Sequence, residues 1–128
     1  MSVTAVDQWV LDLFGAIDAM DAPAVAKAFA PDGRFRFGNT EPVVGREHVE
    51  QSMSGFFSMI AGLTHEVTGV WSGRSEGGDV TSVEAKVTYT RKDGTHTEAL
   101  PVTSTIRMEG DQIKDYRIFM DVSPLFVQ

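Results

Sequence analysis

The sequence predicts an α+β domain, in which three helices from the N-terminal half pack on the concave face of a curved antiparallel sheet of four to six strands and enclose a pocket. Three observations predict it. Apolar residues recur at helical spacing up to about residue 60 and at every second position beyond it. Turn residues at Lys92-Asp93-Gly94 and Glu109-Gly110-Asp111 divide the second half into strands. Helices gathered ahead of a run of strands imply an antiparallel sheet with its helices on one face. At 128 residues the chain suits one core, so a single domain over 1–128 is expected.

The elements follow in order. Val6, Trp9, Val10, Leu13, Phe14, Ile17 and Met20 form one stripe of a first helix, with Asp7, Gln8, Asp12 and Asp18 between them. Thr4 is its expected cap, with Asp7 three residues on as an imperfect capping box. Asp21 caps a short second helix, Pro23 suits its first turn, and Val25 and Phe29 share its buried side. Pro31-Asp32-Gly33 ends it, and Arg34-Phe35-Arg36-Phe37 reads as a short strand. A loop from Gly38 to Pro42 and Val43-Val44-Gly45 lead into a third helix from about Arg46, with Val49, Met53, Phe56, Phe57 and Ile60 as its stripe and Gly62 as its stop. Leu63 to Ser72, Val80 to Arg91, Thr95 to Met108 and Gln112 to Asp121 read as four strands. Val122 to Gln128 is a tail that can pack or swap.

Composition removes several functions. A hydrophobic share of 42% and a charged share of 23% are those of a folded globule. No apolar run approaches the roughly 20 residues that span a bilayer, and Met1-Ser2-Val3-Thr4 does not open a secretion signal, so a cytoplasmic protein is expected. Eighteen acidic against eleven basic residues give −7, with the basic ones scattered, which argues against nucleic acid and anionic membrane as partners. There is no cysteine, hence no disulfide and no thiolate. His48, His65 and His96 lie on different elements without metal-ligand spacing, and His65 reads as an edge or surface residue, with a pocket-facing position as the alternative. Ser54, Ser58 and Ser104 lack a nucleophile elbow. The loop from Ser72 to Asp79, with Gly73 and Gly77-Gly78, lacks the lysine and helix start of a phosphate cradle.

Two stretches carry a resemblance. Gly45-Arg46-Glu47-His48-Val49-Glu50-Gln51 through Gly55-Phe56-Phe57 is similar to the third helix of limonene epoxide hydrolase. Ile113-Lys114-Asp115-Tyr116-Arg117-Ile118-Phe119-Met120-Asp121 resembles the closing strand of the same superfamily. From the first helix to Leu125 the chain resembles the SnoaL-like proteins of the nuclear-transport-factor-2-like superfamily, which includes ketosteroid isomerase, limonene epoxide hydrolase and polyketide cyclases. The resemblance implies a homodimer formed through the outer sheet face, and acid–base chemistry without a cofactor or metal on a small apolar organic ligand. Asp121 stands where these enzymes carry an acid–base residue. Phe37-Gly38-Asn39 is the nearest match to a water-positioning Tyr-x-Asn pair, with the tyrosine hydroxyl lost. Glu84-Ala85-Lys86 falls on an Arg-x-Asp pair with the charges reversed. The positions matching the ketosteroid isomerase tyrosine, base and oxyanion-hole aspartate are Phe14, Phe37 and Thr103, so that activity is not expected.

Asp121 is therefore the leading candidate for proton transfer, since a carboxylate among apolar walls has a raised pKa. The alternative is a strand end in water. Glu84 and Lys86 share one strand face, with Val83, Ala85, Val87 and Tyr89 on the other. The pattern alone makes the charged face solvated, whereas the resemblance implies that it looks into the cavity, where Glu84 and Lys86 would be catalytic partners of Asp121. Arg117 has the parity of Asp121 and is a candidate substrate contact or a surface ion pair. Asn39 is assigned to positioning, and Phe14, Phe37, Phe57 and Phe119 to the pocket wall. Trp71, beside Gly69, is a candidate dimer contact. The expected function is an acid–base enzyme that opens an epoxide, isomerises or cyclises an apolar substrate. The alternative is a non-catalytic ligand-binding or dimerisation module with a degenerate site.

Overall fold

The computed structural model describes residues 7–76 and 78–127. The expected cap at Thr4 and the start of the stripe at Val6 lie outside the described residues, as does Gly77. Helix α1 (Gln8–Asp18) has Asp7 as its N-cap residue and buries Val10, Leu13, Phe14 and Ile17. It stops because Met20 turns into the left-handed region, φ 55°. The Met20 and Asp21 N–H groups then donate to the carbonyls of Ile17 and Ala16, a Schellman closure made without its usual glycine. Helix α2 (Ala22–Lys27) is capped as its sequence predicts, with Asp21 Oδ1 accepting from the Ala24 N–H at 3.1 Å. Helix α3 (Arg46–Phe57) buries Val49, Met53 and Phe57.

The strands are β1 (Phe29–Phe37), β2 (Val43–Val44), β3 (Gly62–Ser75), β4 (Gly78–Thr90), β5 (Leu100–Glu109) and β6 (Gln112–Phe119). They form one curved, unclosed sheet in the order β2-β1-β6-β5-β4-β3. Three differences from the sequence reading matter. The sheet is mixed, because β1 lies parallel to β6. The chain leaves β1 through a short hairpin to β2 and then α3 before the meander begins, so no turn joins β1 to β6 directly and nothing forces that pair antiparallel. Phe29 leaves the second helix to open β1, where it is fully buried, and Pro31-Asp32-Gly33 is absorbed as an irregularity between Phe29 and Arg34. Gly33 is required there, since a Cβ would stand 2.8 Å from the Ile113 carbonyl oxygen. Finally, β5 begins at Leu100 instead of Thr95, and Thr97 turns its hydroxyl to accept the Tyr89 N–H at 3.1 Å.

Two bulges set which side chains face inward. The β3–β4 register shifts between Val67 and Gly69, and the β5–β6 register shifts between Ile113 and Asp115. Each places one extra residue in a strand, Thr68 and Lys114, and reverses the alternation beyond it. Val67 and Val70 therefore both look inward, as do Ile113 and Tyr116. Trp71 falls on the outer face with its ring over Gly69, where a Cβ would lie 2.4 Å from it.

The tail packs. Val122 leads into a 3-10 turn (Ser123–Leu125) that buries Leu125. Arg91 donates to the carbonyl oxygens of Leu125 at 3.0 Å, Pro124 at 2.8 Å and Val127 at 3.2 Å.

Candidate functional site

Between α3 and the inner face of the sheet lies a cavity of roughly 450 Å³. Phe35 and Phe37 from β1, Phe56 and Phe57 from α3, and Ile118 with Met120 from β6 and its exit form much of its wall. Phe56 makes ring contacts with Phe37 at 5.2 Å and Tyr89 at 5.7 Å between centroids. Such a mostly apolar concavity with a few polar groups is the usual form of a small-molecule site.

Its polar groups fall into two sets. At the rim stand Thr40, Glu41, Gln51 and Ser52. Deeper in are His65, Tyr89, Ser104 and Tyr116. The Tyr116 and Ser104 hydroxyls lie 3.3 Å apart. The Tyr89 hydroxyl donates to Met120 Sδ at 3.6 Å. Burial pushes the Tyr116 phenol up to about 12, and burial followed by the neighbouring Tyr116 raises Tyr89 as well. Both phenols therefore stay protonated and can donate.

His65 is tied to Asp18, the last residue of α1. Its backbone N–H donates to Asp18 Oδ2 at 2.9 Å and its ring Nδ1 lies 2.6 Å from Oδ1. An ionised carboxylate only accepts, so Nδ1 carries a proton, and in the neutral imidazole Nε2 is left as the acceptor. Among the described residues Nε2 has no hydrogen-bond partner. Phe14 fixes the ring from the side, edge to face at 5.1 Å. The His65 side chain is 9% exposed and that of Asp18 27%. This places an imidazole held by a carboxylate at the wall of a mostly apolar cavity.

A family model described as the SnoaL-like domain matches residues 10–116. The chain belongs to the SnoaL-like family. Among solved structures, this SnoaL-like protein is similar to one of ketosteroid isomerase-like fold from Catenulispora acidiphila, crystallised with trimethylamine: TM-score 0.81, 20% identity, over 97% of this chain and 93% of that one. It is also similar to a candidate SnoaL-like polyketide cyclase from Jannaschia sp. CCS1, with TM-score 0.77 and 20% identity over 93% and 87% of the two chains. A limonene-epoxide-hydrolase-like epoxide hydrolase from M. tuberculosis matches with TM-score 0.70 and 13% identity over 93% and 84%. At these identities the likeness shows the fold. No curated protein matched the chain.

In this SnoaL-like fold most of the expected site residues lie elsewhere. Asp121 is exposed and caps the final turn, accepting the Ser123 N–H at 3.0 Å. Hydrogen bonds from the Ser123 side chain and backbone hold its carboxyl below the ordinary range, the opposite of the raised pKa expected. Glu84 and Lys86 are exposed on the outer face, because Val83, Ala85, Val87 and Tyr89 take the inner one. Arg117 and Phe119 also face outward: the bulge at Lys114 gives the inward positions to Tyr116, Ile118 and Met120. Arg117 instead donates to Asp115 Oδ2 at 2.9 Å. Asn39 is exposed outside the cavity wall, where the neighbouring Thr40 and Glu41 stand. Phe14 backs His65 without lining the cavity. Phe37 and Phe57 line it. His65, read first as an edge or surface residue with a pocket-facing position as the alternative, lines the cavity. Its signal was available in Leu63-x-His65-x-Val67, a histidine in the apolar phase of a strand, and in Asp18, one helical turn after Phe14 on the flank of the buried stripe.

Proposed function

We propose that this protein is an acid–base enzyme acting on a small apolar molecule, with His65 as the proton carrier and Asp18 as its positioning residue. The observation behind the reading is the pair of hydrogen bonds that fix His65 against Asp18 at the cavity wall. In the proposed step Nε2 takes a proton from a carbon acid or from an attacking water, and Asp18 stabilises the imidazolium so formed. The same nitrogen then returns the proton to the product, so the cycle closes without an external oxidant or reductant. Isomerisation, cyclisation and epoxide opening all fit such a step, and the SnoaL-like fold is shared with a candidate cyclase and an epoxide hydrolase.

The test is turnover on a panel of enones, epoxides and polyketone esters. His65→Gln is expected to lower turnover by about 10²-fold or more, the usual contribution of a positioned base, and Asp18→Asn by a smaller factor. Asp121→Asn, Glu84→Gln and Lys86→Met are expected to leave it unchanged. Full activity in His65→Gln would remove the imidazole from the mechanism. Absence of turnover across the panel, with ligand retained unaltered, would favour a binding module instead.

We further propose that the outer sheet face pairs with a second copy. Trp71 and Phe119, on that face, are 52% and 56% exposed. Large apolar groups left in water on one face are the usual mark of an interface.

A further inference from the structure

Among the described residues, the ionisable side chains on the cavity wall are Glu41, His65, Tyr89 and Tyr116, with no lysine or arginine beside them. An anionic ligand would thus lose its hydration to apolar walls and meet no fixed cation, since any charge on His65 is already paired with Asp18, a far heavier cost than a neutral molecule of the same shape incurs. The two phenols differ in their partners. Tyr116 is matched with the Ser104 hydroxyl, whereas Tyr89 has only Met120 Sδ at 3.6 Å, and a thioether is a weak acceptor. A ligand oxygen offered to the Tyr89 hydroxyl would replace a poor hydrogen bond with a good one. The register adds direction. Leu63 pairs with Tyr89 and His65 with Val87, so Tyr89 and His65 stand one diagonal step apart on neighbouring strands, both facing the cavity.

We infer that Tyr89 is a specificity-determining residue: it donates its hydroxyl hydrogen to an acceptor oxygen on an uncharged apolar substrate and so presents that substrate to His65. The inference rests on the reading of this cavity as the place where His65 works. Burial keeps the Tyr89 phenol protonated, which suits a donor.

Calorimetric titration with three matched probes tests it without requiring turnover. They are 2-acetylnaphthalene, 2-ethylnaphthalene, which lacks the oxygen, and 2-naphthoate, which has the oxygen but is charged. The wild-type protein is expected to bind the ketone about fivefold or more tighter than the hydrocarbon, the worth of one net hydrogen bond. The naphthoate should bind at least as weakly as the hydrocarbon. In Tyr89→Phe the ketone-to-hydrocarbon ratio should fall to about one. Should Tyr89→Phe fail to fold, Met120→Leu decides: removing the thioether should widen the ratio, and a ratio that does not widen overturns the inference. A ratio unchanged in Tyr89→Phe, or naphthoate binding as tightly as the ketone, overturns it while leaving the His65 reading to stand or fall on turnover. If none of the probes binds the wild type, the cavity reading fails and this inference fails with it.

Discussion

Tyr116 carries two duties that a single hydroxyl separates. Its ring stacks on Phe29 at 6.1 Å and meets Phe35 edge to face at 5.6 Å, so it is first a core residue. Its hydroxyl reaches Ser104 inside the cavity, where burial raises the phenol from 10.0 to about 12. Below pH 10 both folded and unfolded chains hold that proton. Between about 10 and 12 the unfolded chain releases it and the folded chain does not, so stability falls as pH rises. Urea midpoints should therefore drop from pH 9 to 11, and Tyr116→Phe should flatten that drop in part, since Tyr89 is raised in the same direction. A slope identical in the two proteins would show that Tyr116 ionises as freely folded as unfolded. At pH 7 the same variant should cost about 1 kcal/mol, because it leaves the buried Ser104 hydroxyl without its partner.

At the scale of elements, the end of α1 decides where Asp18 points. Met20 sits at φ 55°, a conformation that glycine and asparagine adopt easily and β-branched residues resist. Met20→Val should destabilise by about 1–2 kcal/mol, from the left-handed backbone and lost packing together, while Met20→Asn should cost less. Thermal denaturation of the pair checks this; equal losses in both would mean that packing alone matters. The same scale explains what the sequence could and could not tell. Helices with 3.6-residue stripes and strands with turns at Lys92-Asp93-Gly94 and Glu109-Gly110-Asp111 were legible, because periodicity reports burial directly. The bulges at Thr68 and Lys114 were not, because an extra residue leaves composition and turn signals untouched. The resemblance put Asp121 in the cavity and Arg117 shared its parity; the bulge gives the inward positions to Tyr116, Ile118 and Met120 instead. For Glu84 and Lys86, alternation alone gave the outer face, and the resemblance pointed the other way. His65 was in phase, but its partner Asp18 lies 47 positions away, a distance no local pattern spans.

For the whole molecule, the two faces of the sheet divide the labour. The inner face holds the cavity. The outer face carries Trp71 and Phe119 together with Arg34, Arg107 and Arg117 gathered around Asp115. If that face joins two copies, Trp71→Ala should weaken the dimer by about tenfold or more, as central tryptophans do at interfaces. Sedimentation velocity across a concentration series reads it directly. A wild type that stays monomeric, or a dimer indifferent to the change, would sink the pairing. The chain's other end is governed differently. Arg91 holds the last turn by main-chain oxygens at three residues, so its hold is blind to which side chains those residues bear. Leu125 is held by burial and Ser123 by its hydrogen bonds to Asp121, whereas Pro124 and Val127 are gripped through their backbone alone and can change their lettering so long as the chain keeps its path.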